Sequence, residues 1–384
     1  MNCADSQQRF PASDPNDHRK LELYSRDDRR VPSWNVEGCQ RPLLILVIYR
    51  GWSSGIDVGV TVLYERIVKV GTLSEPKGVP NPQFALPSTI NWMAALALIT
   101  SDTKLNFASA LSFYFSTLKR TFSPHEENTI FEQLVFAVHQ LAAIEALRLV
   151  PRKADVARVG IVAWYYGIYA AARAMVAAQD GSFQTNHASA ANSWDRHFAA
   201  GTLVMPPFAL RLSTIKEKNA KSEIETLRSG SSADLKTTPV TPSQALGACC
   251  SYLSGTAEWY RFKTEKDVRR SREFKELGVS DFRTKKAREL RDEWFARKSV
   301  SFLHQAVRYR GKANYREALF LGCGSSVETF LANYIDNLAV VLAGFVSMAG
   351  AFVSLRLGGQ QWEEFVNDLE RTRAFTLSPR SVWS

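Results

Sequence analysis

Few of the motifs that announce a chemistry occur in this sequence. It holds no Walker-type phosphate loop, no GxGxxG after a strand-like run, no HExxH and no GxSxG. The NTPase, ligase, dinucleotide, zinc-peptidase and serine-hydrolase classes therefore have nothing to stand on. Its five cysteines (Cys3, Cys39, Cys249, Cys250 and Cys323) lack CxxC spacing, and the adjacent pair Cys249-Cys250 does not bridge simply. All five read as reduced thiols of a cytoplasmic protein, not as a disulfide framework or a zinc site. No Cys or His pair has metal spacing, so neither a metal nor another cofactor is expected. No internal repeat is visible. The opening MNCADSQQRF is polar, so a signal peptide is not expected. Gly322-Cys323-Gly324 reads as a helix break and not as a phosphate loop.

What is present is an ordinary globular composition over 384 residues, 45% hydrophobic and 22% charged, enough for two or three domains. Lys and Arg exceed Asp and Glu, 48 against 38, for a net charge of +10. That balance favours a polyanionic partner.

Residues 1–40, rich in Asp, Arg, Ser and Pro, read as a loosely held arm. Leu43–Tyr49 is a continuous apolar run, and Val58, Val60, Val62 and Tyr64 alternate, so 41–87 reads as a small β element and a proline-rich connector. Helices are expected next, at Ile90–Ile99 and Ala108–Leu118. Ser123-Pro124-His125-Glu126 is a capping box that starts a third helix. His139 lies beside that helix's apolar face and reads as a packed core histidine. A long helix from about Asp155 carries Tyr165, Ile168, Tyr169, Ala172, Met175 and Val176 at three- and four-residue steps and stops at Asp180-Gly181. These helices make up 88–213.

Residues 214–282 read as an insertion, flexible at first and then basic. Arg261–Lys298 holds fourteen Lys or Arg against eight Asp or Glu, with Trp259, Tyr260, Phe262, Phe274, Phe282 and Trp294 interleaved. That is either a salt-bridged helical pair or a nucleic-acid face in which Arg269, Arg270 and Arg272 meet phosphates. One helix is expected over 283–309. Ser325-Ser326-Val327-Glu328 is a second capping box, opening a helix to Leu355 within 283–357. Leu338–Leu355 is eighteen residues without a charge, which reads as a buried bundle helix, with no membrane partner expected. Residues 358–384 form a tail.

A further pattern lies in Ala163–Phe198. Paired tyrosines Tyr165 and Tyr166, the run Tyr169-Ala-Ala-Ala-Arg173-Ala174, a Gly turn, His187 and then His197-Phe198 resemble the core of the HEPN superfamily. So does Tyr309-Arg310-Gly-Lys-Ala-Asn314-Tyr315, similar to an Arg-x-x-Ala-Asp-Tyr element, with Asn314 where the family has Asp. The resemblance covers about 155–210 and 300–320. It implies a mainly α, HEPN-like helical bundle, interrupted by a long insertion and preceded by the small β element. It also implies a prokaryotic defence or toxin–antitoxin protein directed at RNA more than DNA. The partner would be a second copy, an antitoxin or a complex subunit. Catalytic members carry Arg, four to six residues and then His, and cleave RNA without a metal. Arg297 and His304 fit that spacing, and on a continuous helix both would share a face. Arg308, Arg310 and Tyr315 are further candidates for RNA contact. The alternative is a non-catalytic nucleic-acid-binding or scaffolding subunit. On the residues alone, His187 caps or packs, His197 is a buried polar contact, and Tyr165, Tyr166 and Tyr315 are core residues with a hydroxyl at the rim.

Overall fold

The computed structural model describes residues 82–384, apart from Tyr315, Ser325 and Ser326. The expected arm, the β element and the serine half of the second capping box lie outside the described residues. Within them the protein is mainly α. Thirteen helices follow in order: α1 (Pro82–Asp102), α2 (Phe107–Phe113), α3 (Pro124–Arg148), α4 (Lys153–Asp180), α5 (His187–Trp194), α6 (Glu217–Arg228), α7 (Pro242–Arg270), α8 (Arg272–Glu276), α9 (Lys285–Ala296), α10 (Phe302–Asn314), α11 (Val327–Leu331), α12 (Tyr334–Leu357) and α13 (Gly359–Thr372). A π turn, Asp195–Ala199, continues α5. The described residues contain no strand, only one isolated antiparallel bridge between Leu212 and Val300.

The bundle is built around α4, which packs against α3, α12 and α10. Its alanine run keeps the helix narrow, and Trp164, Tyr165, Ile168, Ala171, Ala172 and Met175 are fully buried. Gly167 sets the closest approach: a Cβ there would lie 2.7 Å from a Leu342 methyl. The helix ends as expected at Gly181, whose φ of 78° is the left-handed cap that glycine accepts without strain. Its start differs from expectation. Arg152, not Asp155, is the N-cap, and it makes no side-chain cap. Glu328 fills that role from afar, accepting from the Lys153 and Ala154 amides at 2.6 and 3.1 Å. Glu328 is thus spent on α4. The first capping box forms as read, with Ser123 and Glu126 bonding reciprocally.

Several expected boundaries are corrected. α1 begins at Pro82 and takes in Pro87, because burial of Trp92, Met93 and Leu96 outweighs the proline's local cost. The stretch expected to be flexible contains α6, whose Ala220 and Ile224 join a small core with Leu212, Ile215, Cys250, Leu253 and Phe295. His139 is not in the core; it is exposed and stacks on Phe375 at 5.5 Å. The helix read over 283–309 is two helices. Ser299-Val300-Ser301 is poor helix sequence, and Val300 exchanges two backbone hydrogen bonds with Leu212 instead.

The expectation that a membrane plays no part is also corrected. That expectation takes Leu338–Leu355 as a buried bundle helix. Among the described residues, three helical stretches are long and apolar enough to cross a membrane: Pro124–Arg148, Lys153–Asp180 and Val327–Leu357. These stretches are α3, α4 and α11 with α12, and they include the helices that form the centre of the bundle.

Candidate nucleic-acid interface

α5, α7 and the turn between α9 and α10 enclose a cleft of about 520 Å³. Arg196, Lys263, Arg297 and Lys298 line it, with Asp195, Asp267 and Tyr260. Asp195 is buried and already engaged: Arg211 grips it with two nitrogens at 2.9 and 3.1 Å, and the Ser299 hydroxyl donates to it at 2.6 Å. Its charge is therefore balanced within the wall, and the cations facing the cleft outnumber the acids left to oppose them.

Arg297 and His304 both line this cleft, but not in the expected geometry. Arg297 caps the end of α9, is exposed, and pairs with Glu293 one turn earlier. His304 is in the first turn of α10 and only 4% exposed. Its Nδ1 accepts from the Ser301 amide at 3.2 Å, with the Ser301 hydroxyl at 3.0 Å. Nδ1 is therefore unprotonated and Nε2–H donates to the Asn192 amide oxygen at 3.0 Å. Burial pulls its pKa down to about 4; Lys298 and Arg211 add to the effect, and Asp195 opposes it. At neutral pH both nitrogens are committed and the ring is uncharged.

The residues of the resemblance form a second cluster, next to the first along α5. Tyr165 and His187 Nδ1 are 2.8 Å apart, and Arg310 reaches His187 Nε2 at 2.8 Å. A guanidinium only donates, so Nε2 accepts and Nδ1–H donates to the Tyr165 oxygen. Arg310 also lies over the Tyr165 ring at 4.9 Å. Tyr169 and the 41%-exposed Tyr166 close the ring around the imidazole. Arg173 stacks on Phe183 at 3.7 Å, and its Nε, like that of Arg310, is buried without a hydrogen-bond partner. Burial, then Arg310, then Arg173 lower the His187 pKa, so this imidazole is neutral too. His197 stands apart, paired with Asp180 at 2.9 Å.

The basic segment divides. Arg269 and Arg270 end α7 and are exposed; Arg269 lies over Phe282, and Arg272 pairs with Glu276. Phe274, Phe282 and Trp294 are the inner side of the α7–α8–α9 turn, packed with Val268 and Ala287. Phe262 alone of the interleaved aromatics is largely exposed, at 58%. Arg308 points into the bundle, donating to Thr256 at 3.1 Å beside Tyr252. Tyr315 lies outside the described residues.

Sequence reasoning brought out neither Asn192, Asp195, Arg196 nor Lys263 as parts of one wall. They carry no motif and meet only through the crossing of α5 and α7. Cys249 and Cys250 are buried and unpaired, and no group of three metal-ligating side chains converges among the described residues. Comparison with protein-family models, with curated proteins and with solved structures finds no match.

Proposed function

We propose that this chain is an RNA-directed, HEPN-like protein of a prokaryotic defence or toxin–antitoxin system, and that it holds RNA rather than cuts it. The observation that carries this reading is the cleft: Arg196, Lys263, Arg297 and Lys298 line it together with a histidine locked in its neutral form. Cations that face an open groove meet phosphates well. A histidine whose pKa is near 4, with both nitrogens bonded, neither takes up nor delivers a proton at neutral pH. Charge reversal tests the reading. In K263E/R297E/K298E, RNA affinity at low salt falls at least about tenfold for every sequence alike, because phosphate contacts carry no sequence information. Unchanged affinity in that variant overturns it.

A second reading, metal-independent cleavage, is favoured by the His187–Arg310 contact. A phosphate that drew Arg310 away would free Nε2 to accept the proton of a ribose 2′-hydroxyl, and the guanidinium would neutralise the developing charge. Cleavage in EDTA that is lost in His187→Ala but kept in His304→Ala selects this reading.

A further inference from the structure

A second cleft, of about 600 Å³, lies on the other flank of α7. Lys216, Lys218, Lys221, Arg261 and Arg291 line it against Glu217, Glu265 and Asp292, with Phe262 on its rim. Lys221 pairs with Glu217 and Arg291 with Asp292, which leaves Lys216, Lys218 and Arg261 as the cations turned to the cleft. The two clefts are arranged by the helical period. Tyr260, Lys263, Thr264 and Asp267 face the first; Arg261, Phe262 and Glu265 face the second. Successive residues, Phe262 and Lys263, thus belong to opposite clefts, and α7 carries a crest between them.

That crest is not an inert surface. Phe262 is 58% exposed, and the Lys266 ammonium sits 4.2 Å from its ring centre. One turn earlier the Lys263 ammonium sits 4.5 Å over the half-buried Trp259. Each aromatic face is paired with a cation that can turn to a phosphate, leaving the ring to a base. An exposed phenylalanine on a helix crest adds nothing to the core. Between two clefts each lined by more cations than acids, it is placed to stack a base.

On the reading that this chain binds RNA, we propose that the RNA is single-stranded and crosses α7, its backbone in the two clefts and one base stacked on Phe262. A duplex keeps its bases paired and stacked inward and has no free face to offer a ring, whereas an unpaired strand splays its bases onto aromatic side chains.

Fluorescence anisotropy with a labelled oligouridine 12-mer and a 12-base-pair RNA duplex tests this. Phe262 is exposed, so Phe262→Ala leaves the fold intact, as an unchanged melting temperature will show. The expected result is tighter binding of the 12-mer than of the duplex, a loss of about fivefold to a hundredfold for the 12-mer in Phe262→Ala, and recovery in Phe262→Trp, with duplex affinity unmoved. A Phe262→Ala protein that binds the 12-mer as well as wild type overturns the crossing. So does one that loses both ligands equally. In either case the RNA reading stands if K263E/R297E/K298E still lowers RNA affinity at least about tenfold. Failure of wild type to bind either RNA overturns both.

Discussion

At the scale of single residues, two histidines are held differently. His304 is buried, so its folded-state pKa lies below the ordinary 6.5, at about 4. Between these values the unfolded chain takes up a proton that the folded chain refuses. Stability therefore falls as pH drops through that window and is regained on return to neutrality. His304→Gln, which still accepts from Ser301 and donates to Asn192, should melt less steeply with acid than wild type, although it is the less stable protein at pH 7. Thermal melts at pH 7 and pH 5 check this; parallel losses in the two proteins would show that His304 is not the group responsible. Of these residues, Tyr165, Arg173, His187 and Arg310 were legible in the sequence only as parts of two short blocks with a shared resemblance; that His187 and Arg310 touch was not, because they are far apart in the chain. Nor was His304 legible. The Arg297–His304 spacing has its meaning only on an unbroken helix, and the break is set by Val300 pairing with Leu212, a contact between distant segments.

At the scale of elements, α12 and the C-terminal residues show how close packing substitutes for length of interface. Trp383 is buried against Gly350, its indole N–H donating to the Val346 carbonyl at 3.1 Å. A Cβ at position 350 would lie 2.4 Å from that nitrogen. Alanine gains up to about 1 kcal/mol in helix propensity, but overpacking costs about 1–3 kcal/mol and the indole loses its acceptor. The net effect of Gly350→Ala should be a lower melting temperature; a rise would mean that the indole swings away freely. The 229–241 connection is tied down in a comparable way. Buried Asn91 donates to the Leu235 carbonyl at 2.9 Å and accepts from Thr238 at 2.8 Å. Asn91→Ala should speed tryptic cleavage at Lys236 with little change at sites in α13; equal cleavage in both proteins would place the anchor elsewhere. Composition alone pointed to looseness here, because polar residues anchored by one distant asparagine look the same in sequence as polar residues anchored by nothing. The helices of the centre were legible because their apolar stripes are long and their caps, Ser123 and Gly181, are local.

At the scale of the whole molecule, the excess of cations was legible as a number but not as a place. Many cations are spent within the protein: Arg211 on Asp195, Arg308 on Thr256, Arg356 on the carbonyls that end α4. Those left facing solvent around α7 form the proposed interface. The affinity for RNA should therefore fall steeply with salt, log K dropping by about 0.7 per phosphate contact for each tenfold rise. A flat response would mean that the clefts hold no phosphate. The most direct measurement is photocrosslinking of a 4-thiouridine oligonucleotide, with the attached peptides mapped by mass spectrometry. The expected adducts lie within 187–196, 216–221, 259–267 and 291–299, the walls of the two clefts and the crest between them. Adducts confined to α3, α12 or α13, with none on α7, would contradict the proposed interface.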